Sequence, residues 1–383
     1  MMIPFSIPTL AGSELQYVEH AVRKGTLSGD GEYTVLCQNW LEKTLSAAKV
    51  FLTPSGTAAL DLAALVLNIQ PGDEVIVPSY TYVSTANAFL LRGASLVFVD
   101  IVPETMNMDI QKLRDAITDK TRAIVPVHYA GVACDMDALM HIASEHGISV
   151  VEDAAQGLFS TYKGRALGTM GHIGCFSFHE SKNVTAGGQG GAILINDPSL
   201  VERAEIIKDK GTDRQMFLRG EVPHYTWQQA GASYTLSEIQ AAYLWGQLEA
   251  SDQIQTRRLG IWRFYYRELS TLCKDAPITL PLVPSYCQHN AHIFFLKVAD
   301  GEQRKDFIAA MKEAGITVLA HYSPLHSTVP GTQGRHVLDR QDFATRESER
   351  LVRLPIFYTM TMEQARKVVE TVEWYFMRRL THI

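Results

Sequence analysis

An α/β fold, with a mostly parallel sheet in a large lobe and a smaller α+β lobe after it, is what the residue order predicts for this 383-residue chain. Three observations predict it. Between residues 49 and 153, short apolar runs alternate with amphipathic stretches at βα spacing, which implies parallel strands covered on both faces. Apolar runs at 173–178 and 192–195 read as buried strands around a turn that holds Lys182, Gly187, Gly188, Gly190 and Gly191. Near residue 252 the pattern changes to long helices with few strands, which divides the chain into a large domain (1–250) and a small C-terminal domain (251–383).

The elements follow in order. Ser13 caps a helix over 13–24, with Leu15, Val18 and Val22 on one face and Gly25 as its stop. A glycine-rich loop leads to a second helix over 35–45, then a strand over 49–53. Pro54-Ser55-Gly56-Thr57 turns that strand into an Ala/Leu-rich helix through 67, and such a start offers N–H groups and hydroxyls to an anion. Strands over 74–77, 96–99, 123–127 and 149–151 alternate with helices over 84–91, 109–117 and 135–146. The small lobe reads as helix 253–269, strand 292–298, helix 302–314, strand 317–321 and helix 362–377, with 331–340 as a mobile loop.

Composition excludes several classes. A net charge of −6 argues against a general nucleic-acid binder or a polybasic membrane-surface protein. No apolar run approaches the ~20 residues that span a bilayer, and the first residues lack a signal-peptide pattern. The five cysteines are scattered without Cys-x-x-Cys spacing, so neither a disulfide frame nor a metal site is expected. The expectation is a cytoplasmic protein.

Chemistry concentrates at strand ends, where ligands of open α/β sheets gather. Asp153 and Gln156 follow an apolar strand in VEDAAQ. Lys182, held in a glycine-rich turn between two core strands, would be partly desolvated, and that makes its amine nucleophilic. An anion cradle, a strand-end carboxylate and a desolvated lysine match what pyridoxal 5'-phosphate (PLP) requires. The glycines after Lys182 lead into a strand and do not open a helix, so a nicotinamide site fits less well.

The motifs TPSGTAAL (53–60), PSYTYVSTANA (78–88), PVHYAG (126–131), VEDAAQ (151–156), GCFSFHESKNVTAGGQGG (174–191), EIQAAYLWGQLE (238–249) and HYSPLH (321–326) occur in one order along the whole chain. With them the sequence resembles the PLP-dependent sugar aminotransferases of the DegT/DnrJ/EryC1/StrS family. The resemblance implies an aspartate-aminotransferase-like (fold type I) large domain with a mixed, mostly parallel seven-stranded sheet, and a homodimer with sites at the interface. It also implies roles residue by residue. Lys182 would carry the cofactor covalently and move the proton, and Asp153 would pair with the pyridine nitrogen. Gln156 would bond the phenolic oxygen, while Gly56, Thr57 and Ser177 would hold the phosphate. Tyr82 would stack on one ring face and Ala155 lie beneath the other. Where the family commonly carries Asn and Arg, this chain has Ser233 and Thr235. The Asn usually reaches the other subunit's cofactor, a contact for which Ser233 is short. Some relatives carry His in place of the lysine and deoxygenate; Lys182 favours transamination.

The stretch YTWQQAGASYTLSEIQAAYLW is similar to members that aminate dTDP-4-keto-6-deoxy-D-glucose, with L-glutamate as donor, to dTDP-4-amino-4,6-dideoxy-D-galactose for cell-surface polysaccharide such as enterobacterial common antigen or O-antigen. Lys210, Arg214, His321 and His326 are the candidates for substrate contacts. The alternatives are amination at the sugar's 3-position and a non-catalytic PLP-binding regulator.

Overall fold

The computed structural model describes residues 2–274 and 276–380. Its large lobe is built on an eight-stranded sheet in the order Lys49–Thr53, Gly191–Ile195, Ile173–Ser177, Ser149–Asp153, Thr121–Ile124, Glu74–Pro78, Ser95–Val99, Arg335–Val337. Gly191–Ile195 runs antiparallel to both its neighbours, and the remaining pairs are parallel. Alternate residues serve opposite faces, as the pleat dictates. Val75, Val77, Leu96 and Phe98 pack with Ala59, Ala63 and Phe89 on one side, and Ile76, Val97 and Val99 with Leu139 and Ala143 on the other.

Seven of these strands lie where the apolar runs predict them. The eighth comes from the segment expected to be a mobile loop. Arg335–Val337 pairs with the Ser95–Val99 edge. Gly334 permits that approach, since a Cβ there would stand 2.7 Å from the Leu96 carbonyl oxygen. Arg335 then reaches Glu74 at 3.2 Å.

Three further expectations are corrected. The first helix, Glu14–Lys24, does not bury the Leu15/Val22 face: these residues are 60% and 51% exposed, and Glu14 and Ala21 face inward instead. Glu14 is tolerated there because its carboxylate accepts from the N–H groups of Ala11 and Gly12 and from Gln247 Nε2. Gly246 brings the helix Glu238–Glu249 against it, with room for no Cβ (2.8 Å to Glu14 Cα). The helix expected over 109–117 splits into the 3₁₀ turn Ile110–Lys112 and the short helix Leu113–Ala116. The strand expected over 317–321 is reduced to single bridges. Leu319 pairs with Arg353, while Thr317 N–H and Gly315 C=O bond the backbone of Ile3.

In the small lobe, Phe294–Lys297 pairs antiparallel with Leu351–Leu354. Helices Ser251–Leu272, Gly301–Glu313 and Met362–Leu380 pack over this pair through Ile261, Leu269, Phe307, Met311, Val368 and Val372. Among the described residues no helix is long and apolar enough to cross a membrane.

One buried ion pair ties the lobes together. Lys297 Nζ lies 2.9 Å from Glu347 Oε2 and donates to the Pro103 carbonyl across the lobe boundary. Burial pushes the Lys297 amine down; it pushes the Glu347 carboxyl up, but Lys297, Arg346 and Arg350 bring that carboxyl below its usual value. Glu347→Gln, which leaves the lysine buried without its counter-charge, is expected to cost about 3–5 kcal/mol in urea unfolding. A cost below about 1 kcal/mol would show the pair to be dispensable.

Candidate active site

At the carboxyl edge of the parallel strands lies a cavity of about 430 Å³. Large-lobe loops form one side, and Phe5, Arg258, His292, His321, Tyr322 and Arg353 close the other. Lys182 enters it from the loop between Ile173–Ser177 and Gly191–Ile195. That loop is held by backbone bonds from Phe178 to Gly190, Glu180 to Gly188, Lys182 to His179, and Ala186 to Phe178. Gly187 takes a positive φ of 78° against the Tyr243 ring, a conformation few side chains adopt. Burial lowers the Lys182 amine to about 8; Asp153 opposes this and Arg353 adds to it. About one-tenth is therefore the neutral nucleophile at pH 7, several hundred times the share in a solvated lysine.

Beside it stands the start of helix Gly56–Val66. Ser55 caps the helix by accepting from the N–H groups of Ala58 (at its hydroxyl, 3.0 Å) and Ala59 (at its carbonyl, 3.1 Å). Gly56 and Thr57 line the cavity ahead of these bonds, with their backbone N–H groups at the positive end of the helix. Their position is set by contacts that exclude a Cβ. At Gly56 one would lie 2.8 Å from the Ser177 Cβ, and at Gly191 one would lie 2.4 Å from the Ser55 carbonyl. Thr57 and Ser84 hydroxyls are 2.7 Å apart on the same rim.

Asp153 ends the central strand. Thr85 Oγ1 donates to its Oδ2 (2.7 Å) and Ala155 N–H to its Oδ1 (3.1 Å), which fixes the carboxylate. The preceding Glu152 points into the opposite layer, where His128 Nε2 and the N–H groups of Gly168, Met170 and Gly171 surround it. Gln156 accepts from Ala130 N–H and donates to the Tyr322 hydroxyl at 3.2 Å. Tyr82, 56% exposed, faces Tyr322 across the cavity mouth with ring centroids 6.0 Å apart.

One cavity thus brings together Gly56, Thr57, Tyr82, Asp153, Ala155, Gln156, Ser177, Lys182 and His321. Four expected residues lie outside it. His326 is buried between the Ser79 hydroxyl and Asp342 Oδ2, 3.2 Å away. Lys210 and Arg214 both pair with Asp209. Ser233 is exposed, its backbone bridged to Asp209. The lining also includes residues that sequence reasoning missed. Tyr322 sits inside the HYSPLH motif, and Arg353 is a charge within an apolar strand; both carried a readable signal. Phe5, Arg258 and His292 reach the cavity through long-range packing that no local pattern announces.

The donor set fits PLP: N–H groups and hydroxyls for a phosphate, a fixed carboxylate, an amine held well below its usual basicity and an aromatic wall. Among the described residues no cluster of His, Cys, Asp and Glu could hold a metal ion. Fold and cavity define a fold type I PLP-dependent transferase. The DegT/DnrJ/EryC1/StrS aminotransferase family profile matches residues 8–373. The spore coat polysaccharide biosynthesis protein SpsC of Bacillus subtilis (strain 168) is 33% identical over 380 residues, 97% of this chain and 96% of that protein. The sugar aminotransferase CalS13 of Micromonospora echinospora superposes with a TM-score of 0.87 at 27% identity, covering 97% of this chain and 99% of that one. Spr1654 of Streptococcus pneumoniae, solved in a PLP form, gives 0.88 at 27%, covering 97% and 98%. The chain belongs to the DegT/DnrJ/EryC1/StrS family and is a PLP-dependent sugar aminotransferase.

The lowered amine is directly measurable. In cofactor-free protein, reductive methylation read at Lys182 by peptide mass spectrometry is expected to rise through a midpoint at about pH 8. Asp153→Asn removes the charge that favours the ammonium and should move the midpoint down; Arg353→Gln should move it up. A midpoint near 10.5, the ordinary lysine value, would mean the amine is solvated.

Proposed function

We propose that this enzyme transfers the amino group of L-glutamate to C4 of dTDP-4-keto-6-deoxy-D-glucose, giving dTDP-4-amino-4,6-dideoxy-D-galactose for a cell-surface polysaccharide. The observation that carries the amino-transfer chemistry is the half-buried Lys182 amine, lowered to about 8, in one cavity with Asp153 and the Gly56/Thr57 helix start. The choice of sugar rests on the stretch YTWQQAGASYTLSEIQAAYLW and on kinship with a spore coat polysaccharide protein.

Bound PLP supplies an electron sink that stabilises negative charge on the substrate carbon. The protein's own residues would do the rest. Gly56, Thr57 and Ser177 would hold the phosphate through N–H and hydroxyl groups at a helix start. Asp153, fixed by Thr85 and Ala155, would keep a proton on the pyridine nitrogen. Gln156 would bond the phenolic oxygen, and Tyr82 and Ala155 would bound the two ring faces. Lys182 would carry the proton between the substrate carbon and the cofactor, off the donor's α-carbon in the first half-reaction and onto C4 of the sugar in the second.

A homodimer completes this reading. Leu15, Val22 and Trp227 leave large apolar surface on the single chain, and Ser233 sits on an exposed segment that a partner's cavity could receive. Lys210 and Arg214, on the same segment, would serve the sugar nucleotide from across that interface. His321 would meet the sugar from within the cavity. The enzyme would work in the cytoplasm, where nucleotide sugars are made.

Incubation of the PLP-loaded enzyme with L-glutamate and dTDP-4-keto-6-deoxy-D-glucose, with the product read by NMR, tests the proposal. An axial 4-amino group is expected; a 3-amino product or an unchanged sugar would overturn the assignment. Initial rates should give parallel double-reciprocal lines. Lys182→Ala is expected to abolish turnover, and Asp153→Asn to lower it about 10²–10³-fold, the scale for losing one preorganised electrostatic partner.

A further inference from the structure

We propose that His292 is a positioning residue for Lys182: from the small lobe it grips Asn183, the next residue along, and so holds the loop that presents the reacting amine. The inference rests on the reading of Lys182 as that amine and is independent of which sugar is used.

The grip is a chain of hydrogen bonds with one consistent placement of protons. Asn183 is buried, and its Nδ2 donates to the Asn290 carbonyl at 2.8 Å. A carbonyl only accepts, so this bond fixes which way the amide points and turns Oδ1 toward His292. His292 Nδ1 lies 3.0 Å from that oxygen and carries the proton between them. Burial does most to hold the imidazole well below its usual value, and Lys182, Arg258, His321 and Arg353 add to it. The ring is therefore neutral, protonated on Nδ1 alone. It lines the cavity of Lys182 without bringing a charge that would compete with the amine for Asp153.

His292 is itself firmly held. Its N–H donates to Asn290 Oδ1 at 3.0 Å, and Arg258 Nη2 donates to its carbonyl. Arg258 also donates from Nε to the Ala291 carbonyl (3.2 Å) and from Nη1 to the Ile356 carbonyl (3.3 Å), so this buried guanidinium serves the backbone. Ala291 takes a positive φ of 52°, a conformation alanine rarely adopts and that these bonds hold in place. Asn290 Nδ2 reaches the carbonyls of Gln156 and Leu158, each at 2.7 Å, in the loop after Asp153. Residues 290–292 thus brace the Lys182 loop and the loop after Asp153 against each other. Buried polar groups satisfied in this way specify one geometry. A lysine amine rides on a flexible four-carbon stem, so its place depends on how its backbone is held. The large lobe supplies the turn bonds of the loop, and His292 adds a contact at the adjacent residue from the other lobe.

Three substitutions separate the Nδ1 bond from mere packing. His292→Asn keeps an N–H at the distance of Nδ1 from the backbone, His292→Gln moves it out to that of Nε2, and His292→Leu has none. The first reading is the pH midpoint of Lys182 methylation in cofactor-free protein. Loss of the grip should admit water to the amine and raise the midpoint by about one pH unit in His292→Leu and His292→Gln, a roughly tenfold smaller neutral share at pH 7. His292→Asn should match wild type. The second reading is loss of the visible band of the PLP-loaded proteins with saturating L-glutamate. It should slow about ten- to hundredfold in His292→Leu and His292→Gln, the scale for a misplaced reacting group, with the half-saturating concentration changed less than about twofold. Should His292→Leu not fold, Asn183→Ala removes the acceptor in place of the donor and carries the same expectation. A midpoint unmoved or lowered in these proteins would overturn the inference. So would equal rises in His292→Asn and His292→Leu, which would make the ring a packing residue, or a wild-type midpoint in His292→Gln alone, which would assign the effect to Nε2. Borohydride reduction of PLP-loaded wild type should leave the cofactor on the Lys182 peptide; a cofactor fixed elsewhere would overturn the reading of Lys182 and this inference with it.

Discussion

The burial of one amine sets the terms for everything around it. Lys182 is carried to the sheet edge by two antiparallel strands, and its surroundings exclude enough water to make the neutral form far easier to reach than in a solvated lysine. Burial alone would push it further; the carboxylate of Asp153 works against that from the adjacent strand. The resulting compromise depends on where Asp153 is held, and hence on Thr85 and the Ala155 N–H that grip it. It also depends on Glu152, whose own contacts in the opposite layer lock the strand end in register. A sheet that slipped here by one residue would exchange the two acids between faces.

Close packing of backbone does for the anion cradle what charge does for the lysine. Ser55 and Gly56 meet Ser177 and Gly191 at distances that allow no side chain at either glycine. The helix start, the end of one strand and the beginning of another are thereby locked into one surface. N–H groups so placed need no reorganisation to meet a charge, which is the condition under which such dipoles are most effective.

How much of this the sequence disclosed follows from how local each signal is. The seven strands were readable because strands buried on both faces, parallel or antiparallel, are continuous apolar runs. Lys182, Asp153 and the 55–57 turn were readable because unusual residues sit at strand ends. Arg335–Val337 was not, because it is a short edge strand of polar residues that resembles a loop until Gly334 meets Leu96. The first helix misled for a related reason: Glu14 faces inward because Gln247, far along the chain, supplies its partner. Arg353 and Phe5 meet across nearly the full length of the chain, and neither sequence neighbourhood announces the other.

That reach has a consequence for how the protein is made. On a ribosome, Ile3 emerges early but has no pairing partner until Gly315 and Thr317 follow. The Ser95–Val99 edge likewise stays open until Arg335–Val337 arrives. At roughly 5–20 residues per second this leaves a paired-strand template exposed for about ten seconds or more. The nascent large lobe should therefore be the stage at which chaperones matter most, and its open edge the surface they shield.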